Sequence, residues 1–251
     1  MTDRPDVTPV VAALRKSGFP LQTRIEHEIR ERYANAWRLL ASEHPWRDPD
    51  GRDQFIDLIA NCGTVVLVVE CKKAQERSLL FLRALGRETT DKVTTCTVWH
   101  FEPPSDRAIK GLDLRPESYQ AAFCVTTDTS GSQRLLEQDA RPVVLATDAL
   151  IAQGFPEIHH LDRSFFLPVI LTTASLYTLR YEPTEIRLET GSFDNLDSNK
   201  IEQIPWVRFH KTLTAHPSRI ARTVFVVNSA TLPTFLDEIS RALGFGPAVA
   251  T

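Results

Sequence analysis

The chain has 251 residues, 42% hydrophobic and 24% charged, with 29 basic against 32 acidic side chains and a net charge of −3. That balance excludes a disordered chain, a collagen and a coiled coil. No unbroken run of aliphatic, aromatic or cysteine side chains exceeds five residues, far below the ~18 that a membrane-spanning helix requires. The opening MTDRPDVTPV has no apolar stretch behind a basic segment, so the expectation is a cytoplasmic protein without a signal peptide or a membrane partner.

From Pro20 onward, LQTRIEHEIRERYANAWRLLASE spaces Leu21, Ile25, Ile29, Tyr33, Ala36 and Leu40 at helical intervals and predicts one long amphipathic helix. Residues 44–53, HPWRDPDGRD, concentrate Pro, Gly and Asp and predict a turn. QFIDLIAN and TVVLVVECK then read as two strands joined at Asn61–Gly63, with Val65–Val69 as a central strand covered on both faces. After Lys73, Leu79, Leu80, Leu82, Ala84 and Leu85 suggest a second helix closed by Gly86. Strands follow at 94–101 and 119–127, then helical sequence over 133–153 with Pro142 marking a new start. PVILTTASLYTLRY, WVRFHKTL and RTVFVVNS make the remainder strand-rich, and a last helix runs from Pro233 to Leu243. No Ser/Gly linker divides the halves, so a single continuous domain over 1–251 is expected.

The four cysteines, Cys62, Cys71, Cys96 and Cys124, form no CxxC pair and read as reduced, mostly buried thiols rather than a zinc site or a disulfide framework. His159-His160 has no second pair at zinc spacing, Ser130-Gly-Ser132 lacks the hydrolase elbow, and neither a Walker loop nor GxGxxG is present. A nucleotide-driven motor and a nicotinamide enzyme are thereby disfavoured.

The stretch that carries chemistry is Asp57 followed, after twelve residues, by Glu70-Cys71-Lys72. Alternate strand residues share a face, so Glu70 and Lys72 point the same way. If the hairpin turns at Asn61–Gly63, Asp57 falls opposite Leu67–Val69, within a residue or two of Glu70. Two carboxylates and an ammonium then meet at one end of a very apolar sheet. Burying unpaired charge there costs several kcal/mol, and a hard divalent cation held by carboxylate oxygens supplies a reason. Metal-assisted phosphodiester hydrolysis uses such a set: the cation polarises the phosphate and lowers the pKa of a water, while a lysine orients that water or balances the charge that develops.

Asp57, Glu70 and Lys72 in this spacing, with GFPLQ opening the first helix, FIDLIA and VVLVVECKK, resemble the PD-(D/E)XK nuclease superfamily over about residues 18–100. The resemblance implies a restriction-endonuclease-like α/β core, α-β-β-β-α-β with a mixed sheet, over 18–100, and a strand-rich extension over 101–251. It implies a Mg²⁺ site, with Mn²⁺ as substitute, made by Asp57, Glu70 and an acidic residue of the first helix, with Glu26 preferred and Glu28 in reserve. It also implies nucleic acid, DNA before RNA, as partner, and leaves a homodimer open. Only two strands are apparent before the second helix where the core has three, so the missing one is expected near Trp46. Ile56 stands where the superfamily often has proline.

On the expected second helix, Lys73 and Arg77 would track phosphates, and Gln75 would assist the site. Arg208, His210, Lys211, His216, Arg219 and Arg222, interleaved with Trp206 and Phe209, suggest either a surface for single-stranded nucleic acid or a strand with an ordinary polar face. Two other accounts of the whole constellation remain open: a plain ion pair of Asp57 with Lys72, and a non-catalytic module that binds nucleic acid or protein on the same fold.

Overall fold

The structure is a computed structural model that describes residues 7–74, 77–86, 91–102, 106–127, 136–153, 163–213 and 220–245. In chain order the first elements are α1 (Thr8–Lys16), α2 (Phe19–Glu31), β1 (Arg38–Arg47), β2 (Asp53–Cys62) and β3 (Val65–Lys72). Then come β4 (Ser78–Ala84), β5 (Val93–Glu102), β6 (Asp106–Ser118), β7 (Gln120–Ala121) and β8 (Phe123–Thr126). The chain continues with α3 (Leu136–Gln153), β9 (Ser164–Thr172), β10 (Ser175–Tyr181), β11 (Ile201–Ile204), β12 (Trp206–Lys211), β13 (Arg222–Asn228) and α4 (Leu232–Ala242). This is a mixed α/β fold dominated by strands.

The main sheet runs β1-β2-β3-β9-β13-β12-β7, with β5 and β6 branching from β9. β1, β2 and β3 form an antiparallel meander, whereas β9 lies parallel to β3 and β13 parallel to β9. The parallel centre follows from composition. VVLVV, VIL and VFVV are unbroken apolar runs, which suit strands buried on both faces. Val66, Val68, Ile170, Val224 and Val226 pack against one layer with α3. Val65, Leu67, Val69, Leu171 and Val227 pack against the other, where α2 and α4 contribute Ile25, Ile29, Phe235 and Ile239. A second sheet, β11-β10-β4-β8, packs beside the first.

Several local expectations change. The first helix stops at Glu31, and Leu40 lies in β1. Tyr33 and Trp37 are buried where the chain breaks away, with the Trp37 indole donating to Ser240 Oγ at 2.8 Å. The third strand expected near Trp46 is therefore β1, and the turn over 44–53 shrinks to residues 48–52. There Asp48 Oδ1 accepts the Asp50 and Arg52 amides, and Gly51 takes a φ of 79°.

The helix expected after Lys73 is instead β4. Its burial alternates, with Leu79, Phe81 and Arg83 inside, and it pairs with β10 and β8. A short Leu-Leu-Phe-Leu run fits either period, and sheet partners decide it. The next helix is thus α3, five strands later. It also runs through Pro142 rather than restarting there. The buried residues Leu136, Ala140, Val143, Val144, Thr147, Leu150 and Ile151 lie on both sides of the proline, and their packing outweighs the missing hydrogen bond. α1, β6 and β11 had no counterpart in the sequence reading. Among the described residues, no helix is long and apolar enough to cross a membrane, and all four cysteines are free and buried.

Candidate active site at the end of the central strands

The β2–β3 ladder ends at Leu58↔Val69. One step further, Asp57 and Glu70 stand opposite each other, and the Asp57 side chain takes over the ladder's work. Asp57 Oδ2 accepts the Cys71 amide at 2.6 Å. Along β3, Lys72 Nζ donates to Glu70 Oε1 at 2.6 Å, with the two side chains 35% and 20% exposed. The ion pair that forms is therefore Lys72 with Glu70, not Lys72 with Asp57.

Burial pushes the Asp57 carboxyl up to about 6, and the neighbouring Glu70 and Glu43 charges add to the shift. The Cys71 amide and the Lys72 ammonium oppose it. Asp57 is thus a crowded carboxylate with more negative than positive charge around it. Burial also pushes the Cys71 thiol upward, with Asp57, Glu70 and Glu26 acting in the same direction and Lys72 against.

That influence puts Glu26 in the neighbourhood of the site. Its nearest cation is Arg30, at 3.8 Å on the next helical turn. Glu28, the reserve candidate, is buried and engaged elsewhere, accepting from Arg24 and from Arg32 at 3.1 Å. Lys72, Lys73 and Arg77 line one small cleft of about 80 Å³, shared with Leu136 and Asp139 of α3 and Thr172 of β9. Lys73 and Arg77 thus stand beside the site on the link from β3 to β4, not on a helix. Gln75, with His159, His160, His216 and Arg219, lies outside the described residues. A wider cleft of about 540 Å³ separates the β1–β2 turn (Trp46, Asp48, Pro49, Gln54) from the first half of α3 (Glu137, Arg141, Leu145).

Two residues enter the site that the sequence reading did not single out. Gln22, on α2 and 6% exposed, donates its amide to Glu43 Oε1 at 2.6 Å and to the Asp57 carbonyl at 3.3 Å. The one available signal was a polar side chain at i−3 from Ile25 and i−7 from Ile29, inside the buried stripe. Two aromatic side chains also stand open nearby. Phe19 lies one turn before Gln22 and is 67% exposed, and Phe55 lies two residues before Asp57 and is 55% exposed.

Among the described residues, no three or more His, Cys, Asp or Glu side chains gather closely enough to hold a metal ion by themselves. The Asp57–Glu70 pair still fits a hard dication. Its donors are carboxylate oxygens, their mutual repulsion is relieved by positive charge, and Mg²⁺ commonly takes one or two carboxylates and fills its shell with water and substrate phosphate.

In the second basic stretch, Arg208, Lys211 and Arg222 are each engaged within the protein, while His216 and Arg219 lie outside the described residues. Arg208 is fully buried and donates to Ser118 Oγ at 2.5 Å, Leu114 O at 2.6 Å and Thr94 O at 3.0 Å. Arg222 is also buried, pairs with Asp148 and lies 4.8 Å from the Trp99 ring, while Lys211 pairs with Glu137. Arg208 and Arg222 face inward because acceptors meet them there, and Lys211 is half-buried on its carboxylate partner. Compared with known proteins, the chain matches no family model, no curated protein and no solved structure.

Proposed function

We propose that the protein is a divalent-cation-dependent nuclease with a restriction-endonuclease-like core, acting on DNA before RNA. The observation that carries this reading is the Asp57–Glu70 pair at the open end of the central strands, with the Lys72 ammonium held on Glu70. The element order supports it. α2-β1-β2-β3 is followed by α3-β9, with β9 parallel to β3, and β4–β8 read as an insertion into an α-β-β-β-α-β core.

In this reading Asp57 and Glu70 hold Mg²⁺ or Mn²⁺, with Glu26 reaching it directly or through water. When bound, the ion polarises the scissile phosphate and lowers the pKa of the attacking water. The chain's own groups do the rest. Asp57 is fixed by the Cys71 amide, so its free oxygen keeps one direction. Lys72 is a compact charge that orients the water or balances charge on the phosphate in the transition state. Lys73 and Arg77 meet backbone phosphates beside it, and the exposed rings of Phe19 and Phe55 offer faces for unpaired bases.

Incubation of plasmid and single-stranded DNA with Mg²⁺ or Mn²⁺ tests this directly. Cleavage that chelator abolishes supports it. DNA and RNA both left intact, yet bound with chelator present, would favour the second reading, a non-catalytic binding module. One observation leans that way: Lys72 neutralises Glu70, one of the two proposed ligands, through a direct ion pair.

A further inference from the structure

We propose that Gln22 and Glu43 are positioning residues that act as one clamp, fixing where Asp57 leaves the sheet and so where its carboxylate sits against the end of β3. The proposal rests on the nuclease reading for its catalytic meaning, but its geometry stands separately. Glu43 has a φ of 50°, the one non-glycine positive φ among the described residues. A glutamate gains nothing locally in that left-handed region, and such strain persists only where its surroundings impose it.

The surroundings are specific. The register Ser42↔Leu58 and His44↔Ile56 sets Glu43 directly across from Asp57. At this point the meander changes its relation to the core. Leu58 packs in the layer with α2, while Ile56, two residues away on the same strand, packs in the layer with α3. Regular alternation would keep those two side chains on one face. Asp57 lies at the reversal, and it is also the first β2 residue beyond the β3 ladder.

Beyond the β3 ladder β2 is paired on its β1 side only, so the Asp57 step needs a further hold to keep one orientation. The Gln22 amide supplies it, because its two N–H bonds are divided between the Glu43 carboxylate and the Asp57 carbonyl. The side chain belongs to the buried face of α2, which also holds Ile25, Glu28 and Ile29, so its own position is fixed by packing. Asp57 is therefore held on three sides: by the helix, by β1 opposite, and by the Cys71 amide.

Three variants and two readouts test the clamp. Gln22→Leu keeps volume and burial but loses both donors. Glu43→Gln keeps an oxygen for Gln22. Glu43→Gly accepts φ 50° without strain but removes the carboxylate. The expected result is a roughly tenfold fall in kcat for Gln22→Leu and Glu43→Gly, with KM for an oligonucleotide unchanged, and near-parental kcat for Glu43→Gln. The melting midpoint of Glu43→Gly should equal or exceed the parent's, so its lost rate would not follow from lost stability.

The second readout needs no turnover. Hydrogen exchange of the Cys71 amide should quicken about tenfold in Gln22→Leu and Glu43→Gly, while the Val226 amide in β13 keeps its rate. Unchanged Cys71 exchange, or kcat values that simply follow the melting midpoints, would overturn the clamp and leave the nuclease reading intact. Quickened exchange in the two variants of a protein whose parent form cleaves nothing would establish the clamp and refute the nuclease reading.

Discussion

Two cation-bearing strand ends of this molecule use similar residues in opposite ways. At β12 and β13, Arg208, Lys211 and Arg222 meet acceptors placed for them: backbone carbonyls and Ser118, Glu137, and Asp148 with the Trp99 ring. Burial pulls the Arg208 guanidinium down to about 10, so it stays charged at neutral pH. At the end of β3 the account does not balance. Lys72 is paired with Glu70 beside Asp57, with Glu43 and Glu26 adding negative charge nearby and Arg30 standing 3.8 Å from Glu26. Matched interior charge is architecture. Crowded carboxylates at a sheet's open end are instead the kind of donors that the proposed reading assigns to a hard dication.

The sharpest break in the comparison should come from Arg208→Ala. It strands three acceptors and leaves a cavity, so it should cost about 3–5 kcal/mol of stability, read as a lower melting midpoint whether or not divalent cation is present. Lys72→Ala should do the reverse. Its partly exposed pair contributes about 0–1 kcal/mol to stability, yet cleavage should fall on the order of 10²-fold or more, with metal and substrate binding largely retained. Undiminished cleavage by this variant would remove Lys72 from the chemistry.

A smaller effect concerns Asp57 and pH. Its carboxyl titrates near 6 in the folded chain but near 4 when unfolded. Between those values the folded state holds the extra proton, so this group's contribution to stability falls as pH rises from about 4 to about 6 and stays low above. Asp57→Asn keeps an oxygen for the Cys71 amide and removes the charge. Without divalent cation it should gain about 1 kcal/mol near pH 8, after allowance for partial exposure, and nothing near pH 4. Thermal melts at the two pH values measure this, and a large loss at pH 8 would mean that Asp57 serves the fold. Smallest of all, joint replacement of Lys73 and Arg77 by Ala should raise KM severalfold and flatten its dependence on salt by about two phosphate contacts. A salt dependence equal to the parent's would take both residues off the phosphate track.

The site was more legible in the sequence than the frame around it. Asp57 and Glu70 could be set near each other because a two-strand hairpin with an obvious turn fixes its own register. The α2 boundary was hidden because Tyr33, Ala36 and Leu40 happen to continue the helical spacing past Glu31. β4 was hidden because its partners, β8 and β10, lie more than forty residues away in sequence. Arg208 and Arg222 read as surface because nothing near them in sequence announces Ser118 or Asp148. Gln22 left a faint trace as a polar residue inside an apolar stripe. Glu43 left none, since a left-handed glutamate is imposed by the sheet and the helix around it.

The most direct test of the central claim is anomalous scattering from crystals soaked in Mn²⁺. The account predicts a peak between the Asp57 and Glu70 carboxylates, reduced or lost in Asp57→Asn. A Mn²⁺-soaked crystal with no peak there, and Lys72 seated on Glu70, would contradict it.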